Sequence, residues 1–266
     1  MTYKPFTRPN KVLEALAKGE TPLGMQMYTH SEDLIEIVGF TGFDFVMIDM
    51  EHSRVNLETM VHCIRAAEVS GLTPMVRVIE NSPSHIRSAI EAGAQGIFVP
   101  HIKNAEDAQK ALEAMRYPPE GKCGICPSIR ASGYSQDYWE EYMETANNQV
   151  MFIPLLEDVE AIEKAEEIFA LLKPGRDAVG LGLGDITNSL LTKPGEKVQG
   201  NTPTSRKPRP KSWDSPRKPE SRSSAWHGPK PIWPVLKLSW PGAPRFYSSS
   251  PTLISGTSYA AILSKK

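Results

Sequence analysis

Apolar runs of strand length alternate with segments of helical period along the first 190 residues. From Phe43 to Ile48 the chain is apolar apart from Asp44, and it then ends abruptly in Asp49, Glu51 and His52. A parallel strand is covered on both faces and reads as continuous hydrophobics. Charges at its carboxyl end therefore mark either an exit to solvent or an active site. Leu23–Tyr28, Thr73–Ile79, Gly96–Pro100, Val150–Leu156 and Asp177–Leu183 read as five further strands.

Helices fill the intervals. Asn10–Lys18 has Val12, Leu13, Ala15 and Leu16 at helical spacing, with Asn10 as cap. Thr29 to Glu32 offers caps for a helix through Val38. Leu57–Ser70, Ser84–Ala92, Ala105–Arg116 and Val159–Leu172 are predicted helices, the first two closed by Gly71 and Gly93. The segment Tyr117–Asn148 is long and aromatic; such loops are usually lids or carry a short helix of their own.

Six βα units of this size predict a parallel α/β sheet, either doubly wound or closed as a (β/α)8 TIM-type barrel. Polar residues at the ends of strands two to six favour the barrel, because a barrel brings those ends around one mouth. After about Gly200 the pattern breaks. The last 66 residues hold 11 of 23 prolines and four of five tryptophans. Proline every few residues prevents helix and central strand alike. Two regions follow: an incomplete barrel over 1–198, truncated after its sixth strand, and an irregular Pro/Ser/basic-rich tail over 199–266. Only Pro251–Leu263 keeps a weak period.

Charge sharpens that division. Residues 1–200 carry 18 Lys+Arg against 29 Asp+Glu, whereas the tail carries 12 against 2. The formal net charge of -1 does not advertise a nucleic-acid partner, and the tail reads as a solvated segment rather than a DNA-binding arm. Three cysteines suit a reducing compartment, and no apolar run reaches the ~20 residues of a membrane span. A soluble, cytoplasmic protein without membrane contact is the expectation.

The candidate chemistry lies at strand ends. Glu157 and Asp185 each stand just past an apolar strand, separated by one helix. Side by side they would share a divalent cation such as Mg²⁺ or Mn²⁺; the alternative is two solvated carboxylates. Arg77 in a buried strand needs an anion, either a substrate carboxylate or an internal partner such as Asp49. Asp49 and His52 form a candidate base pair, or a capping Asp with a surface His. His101, directly after the fourth strand, is a candidate substrate contact. Gly180 to Gly184 (GLGLG) fits close backbone approach to a ligand, with Gly184 nearest the site, or a tight strand exit. The pair Cys123 and Cys126 has no second pair to complete a zinc site.

Six motifs in order, FDFVMIDMEHS, PMVRV, EAGAQGIFVPHI, RYPPEGKCGI, PLLED and GLGLGDITNSL, resemble the HpcH/HpaI aldolase family over residues 10–198. These are metal-dependent (class II) pyruvate aldolases, and the likeness is strongest to the fungal branch that includes macrophomate synthase. The resemblance implies a (β/α)8 barrel and a divalent metal on Glu157 and Asp185, Mg²⁺ first, with Mn²⁺ or Co²⁺ as alternatives. It implies Arg77 on the carboxylate of a 2-oxo acid, pyruvate or oxaloacetate. It implies the Asp49–His52 pair as proton-transfer machinery, His101 and Tyr134, Tyr138 and Tyr142 beside a large electrophile, and a carbon–carbon lyase working through a pyruvate enolate, with a place in fungal secondary metabolism.

The chain departs from the family at Cys123, where Arg is usual, and at Leu155, where Gln is usual. The last two strands and the closing helices are replaced by the tail. The family's last helix commonly packs on a neighbouring subunit, so a homo-oligomer is implied but its interface element is missing. The alternative reading is a weakly active or inactive truncated barrel, produced by an altered coding sequence after Gly200.

Overall fold

The computed structural model describes residues 8–191 and two short strands, Val235–Lys237 and Phe246–Ser248. Six strands carry the fold: β1 Leu23–Met27, β2 Phe45–Asp49, β3 Thr73–Arg77, β4 Gly96–Val99, β5 Met151–Leu156 and β6 Val179–Leu181. They pair in sequence order, all parallel, and curl into a half-barrel. The two tail strands sit at the edges: β7, Val235–Lys237, antiparallel to β1, and β8, Phe246–Ser248, parallel to β6. A strand pair at each edge blunts the unpaired donors and acceptors that a truncated barrel would expose. The 198/199 boundary and the weak period at Pro251–Leu263 lie outside the described residues.

The helices are α1 Lys11–Ala17, α2 Glu32–Phe40, α3 Leu57–Val69, α4 Pro83–Ala92, α5 Ala105–Met115, α6 Trp139–Gln149, α7 Val159–Glu163, α8 Ala165–Phe169 and α9 Leu183–Leu191. Caps start them where the sequence suggests. Asn10 accepts from Val12 N and Leu13 N, Ser31 from Leu34 N, and Asn56 from Thr59 N. Buried Asn10 does a second job: its amide donates to Gln95 O and Gln149 O, tying α1 under the strands.

Side-chain alternation divides the core in two. Phe45, Met47, Met75, Phe98, Met151, Ile153 and Leu155 fill the lumen with Val12 and Leu16 of α1. Val46, Ile48, Val76, Ile97, Val99 and Phe152 face outward under the helices. Each fully buried side chain of this size stabilises by about 1.5–3 kcal/mol. Gly24 on β1 is needed for the lumen packing, since a Cβ there would stand 2.2 Å from the Phe45 ring.

Three local expectations are corrected. The sixth strand is only Val179–Leu181, and α9 begins at Leu183, so Gly184 and Asp185 lie in a helical first turn rather than at a strand tip. The helix over Val159–Leu172 is two short helices broken at Lys164 (φ -104, ψ 15). The aromatic segment does carry its own helix, α6, but Tyr142 is not beside the mouth. It is buried against Tyr117 and Trp139, with ring centroids 5.8 and 5.4 Å away.

Candidate active site at the strand ends

The lumen-facing parity that places Phe45 and Met47 carries on to Asp49 at the last position of β2. On β3 it runs from Met75 to Arg77. The strand register puts Asp49 directly beside Arg77. Asp49 is fully buried, and Arg77 is 7% exposed. Arg77 Nε donates to Asp49 Oδ1 at 2.9 Å, and Arg77 Nη2 donates to Oδ2. Gln26 Nε2, on the same face of β1, donates to Oδ2 at 3.1 Å. The backbone N–H groups of Glu51 and His52 donate to Oδ1 at 3.0 and 3.1 Å.

Burial raises the Asp49 pKa, but the hydrogen bonds and charge of Arg77 outweigh it and hold the carboxyl below its ordinary value. Burial likewise disfavours the Arg77 charge, and Asp49 outweighs it. Arg77 thus has the internal partner that the sequence offered as one of its two readings. Asp49 does not face the His52 imidazole. It meets the His52 backbone instead, because the chain turns sharply after β2 and Asp49 caps that turn. His52 itself is half exposed, with Nε2 3.7 Å from Glu51 Oε2.

Glu51 is the group to which the sequence assigned no role. Its side chain is 9% exposed. Oε2 lies 3.2 Å from Arg77 Nη1, and Oε1 lies 3.5 Å from His101 Nε2. Counting by twos from Phe45 through Met47 and Asp49 reaches Glu51, so the lumen period was the available signal. Gln26, two past Gly24, was reachable the same way.

His101 follows β4 with a left-handed backbone, φ 54, which a non-glycine residue adopts only when its surroundings hold it there. What holds it is Glu157. The His101 N–H donates to Glu157 Oε1 at 2.7 Å, and His101 Nδ1 lies 3.2 Å from the same oxygen. Asp158 Oδ2 is 3.7 Å from His101 Nδ1 and 3.8 Å from Lys103 Nζ. Glu157 itself is 2% exposed. Its pKa is raised, chiefly by burial and further by the charges of Glu51 and Asp185, against the His101 hydrogen bond. Burial also raises Glu51, with Arg77 opposing. Gly182 closes over this carboxylate. A Cβ there would stand 2.6 Å from Glu157 Oε2.

The donor set fits a divalent cation. Glu51, His101 and Glu157 bring ligand atoms within 4.8 Å of one another. Two carboxylates raised by burial and by nearby like charges, Asp49 for Glu51 and Glu51 with Asp185 for Glu157, are the groups a cation would relieve. Asp185 is exposed in the first turn of α9, close enough for its charge to act on Glu157, but it is not in that three-residue cluster. Gly184 is exposed beside it. Among the described residues, no helix is long and apolar enough to cross a membrane.

Residues 23–201 match the family model for HpcH/HpaI aldolase/citrate lyase. The chain is 36% identical over 173 residues to the 2-dehydro-3,6-dideoxy-6-sulfogluconate aldolase of Pseudomonas putida, covering 65% of this chain and 66% of that one. It thus spans about two thirds of the length of that relative. An HpcH/HpaI aldolase/citrate lyase family protein of Burkholderia cenocepacia superposes with a TM-score of 0.62 at 30% identity, over 68% of this chain and 72% of that one. Macrophomate synthase superposes with a TM-score of 0.58 over 76% of this chain and 73% of its own, and its 24% identity speaks for the fold alone. With the order of its strands, the acidic mouth and these matches in agreement, the chain belongs to the HpcH/HpaI aldolase/citrate lyase family.

Proposed function

We propose that this chain is a divalent-cation-dependent carbon–carbon lyase acting on a small 2-oxo acid, by retro-aldol cleavage or by decarboxylation of oxaloacetate. One observation carries the reading. A guanidinium, two buried carboxylates and two half-exposed imidazoles meet at one end of a parallel sheet. Family membership and the aldolase named among its relatives support the same class.

The roles follow from the chemistry of each group. Arg77, its plane fixed by Asp49 and its Nη1 beside Glu51, would supply the positive charge that receives the substrate carboxylate. Glu157 and Asp185, with His101 adjoining, would hold the cation, for which Mg²⁺, Mn²⁺ and Co²⁺ all suit the oxygen-rich donor set. When bound, the cation supplies positive charge for the keto oxygen as electron density gathers there. His52, half exposed and steered by Glu51, takes or returns the proton at the carbon next to the keto group. His101 and the exposed backbone at Gly184 border the space for the second half of the substrate. The protein works as a soluble cytoplasmic enzyme on small molecules, without nucleic acid or membrane; the homo-oligomer that the family implies would need an interface other than the family's last helix.

The test is exchange of the pyruvate methyl protons in D₂O, followed by NMR with Mg²⁺, with Mn²⁺ or Co²⁺, and with chelator. Cation-dependent loss of the methyl signal is expected; folded protein without it would overturn the lyase reading. The competing reading, a truncated barrel too loose to act, is favoured by one feature. The edges of β1 and β6 are met by strands of only three residues. It predicts no exchange under any cation. Incubating active protein with aldehydes or with a 2-pyrone, and weighing the products by mass spectrometry, separates an ordinary aldolase from a macrophomate-like enzyme of fungal secondary metabolism.

A further inference from the structure

We infer that Glu51 is a positioning residue that links the carboxylate-binding half of the site to its proton-transfer half. The inference rests on the lyase reading above and adds to it. Three basic side chains from three different strand ends converge on this one carboxylate. Arg77 Nη1 lies 3.2 Å from Oε2, His52 Nε2 lies 3.7 Å from Oε2, and His101 Nε2 lies 3.5 Å from Oε1.

Their restraint is unequal. Arg77 is also gripped by Asp49 through Nε and Nη2, so it keeps its place without Glu51. His101 keeps its backbone anchor on Glu157, but its Nε2 edge faces Glu51. His52 has Glu51 as the only ionic partner of its imidazole among the described residues. Both imidazoles are more than half exposed, at 56% and 55%; the His101 ring keeps its Nδ1 edge on Glu157 and Asp158, whereas the His52 ring would otherwise rotate in solvent. Glu51 can hold them because its own position is fixed: its backbone N–H is bound by Asp49 and its side chain is 9% exposed. A buried carboxylate whose Oε2 accepts no hydrogen bond among the described residues is free to serve all three groups ionically.

The division of labour predicts a split in kinetic constants. Glu51→Gln keeps the shape and removes the charge. In the pyruvate exchange assay, kcat should fall about 10- to 100-fold, as loss of an orienting partner typically does, while KM moves less than about threefold because Asp49 still holds Arg77. A kcat within twofold of the unaltered protein, or a KM that rises as much as kcat falls, overturns the inference.

A second measurement needs no turnover and no cation. In ¹⁵N-histidine-labelled protein, with the His52 and His101 imidazoles assigned through His52→Gln and His101→Gln, Glu51→Gln should shift both ring signals and leave those of His30, His62 and His85 in place. Unmoved His52 and His101 signals overturn the inference even where exchange is absent. Absence of exchange in the unaltered protein, with both signals moved, overturns the lyase reading alone. Should Glu51→Gln not fold, Glu51→Asp, which keeps the charge on a shorter arm, carries the same two readouts against the same outcomes.

Discussion

Asp49→Asn tests the arrangement from its most buried member. The substitution is isosteric and exchanges one acceptor oxygen for an NH₂ group. In the native site the two oxygens accept five hydrogen bonds, from Arg77 Nε and Nη2, Gln26 Nε2, and the backbone N–H groups of Glu51 and His52. With Asn in place, whichever way the amide turns, its NH₂ faces donors. The guanidinium loses the partner that justified its burial, leaving Glu51 as its remaining carboxylate. Removing one member of a buried ion pair costs about 3–5 kcal/mol, because the other charge stays buried and uncompensated. For a domain of 150–250 residues, about 2–4 °C per kcal/mol makes this a loss of roughly 6–20 °C in Tm.

Urea titration followed by far-UV CD, with thermal melts beside it, measures the loss directly. A change under about 1 kcal/mol would refute the reasoning, since it would mean that Arg77 finds water or another anion as readily as Asp49. The pH profile gives an independent check. The folded Asp49 pKa lies below its unfolded value, so its contribution is fully present above about pH 4 and is lost as pH falls through the folded value. Asp49→Asn should therefore flatten the acid limb of the stability curve. Glu51 and Glu157, raised in the fold, act with the opposite sign. Their ionisation opposes folding above their raised values, and that cost fades as pH falls toward the ordinary range.

Two further substitutions probe the cation side. Gly182→Ala puts a methyl 2.6 Å from Glu157 Cβ and Oε2; it should cost about 1–3 kcal/mol by overpacking, and calorimetric titration with Mn²⁺ should show affinity reduced at least about tenfold. Unchanged Mn²⁺ affinity would mean that Glu157 does not bind the ion. Glu157→Gln and Asp185→Asn should both abolish exchange with far-UV CD preserved. In chelator, Glu157→Gln should melt no lower than the parent, because a carboxylate disfavoured by burial and like charges has gone; exposed Asp185→Asn should stay within about 0.5 kcal/mol. Full activity in either variant would show that the ligand is misassigned.

Most of the fold was legible because its signals are local. Six apolar runs gave six strands, and caps such as Asn10 and Ser31 gave helix starts within a residue or two. The failures came where tertiary context overrode pattern. The run Asp177–Leu183 looks like one strand because leucine suits both states. Yet only two residues, Gly180 and Leu181, find a ladder partner on β5, and Gly182 N donates to Leu156 O as the chain turns into α9. Tyr142 reads as a loop aromatic, but with Tyr117 and Trp139 it forms the buried cluster beneath that loop, a contact no short-range period encodes. The tail strands β7 and β8 had no legible period, since three residues are too few to show one.

The sequence pointed to the strand ends as the candidate site, but not to Glu51 or to which side chains pair there, and the reason is geometric. Sequence shows which residues end a strand. Register and parity decide which of those ends touch. Asp49 and His52 are three apart, the spacing that suggests a partnership. Two-residue alternation nevertheless sends Asp49 across to Arg77 on the neighbouring strand, while Glu51, two residues on, receives the side chains of His52, Arg77 and His101. In the same way Glu157 takes its first partner from β4, through a His101 backbone twisted to φ 54, before any neighbour on its own strand. An active-site mouth on parallel strands is thus assembled by lateral neighbours some 25 to 60 positions apart, and its pairs are recovered by aligning strand ends with their lumen-facing parity rather than by spacing along the chain.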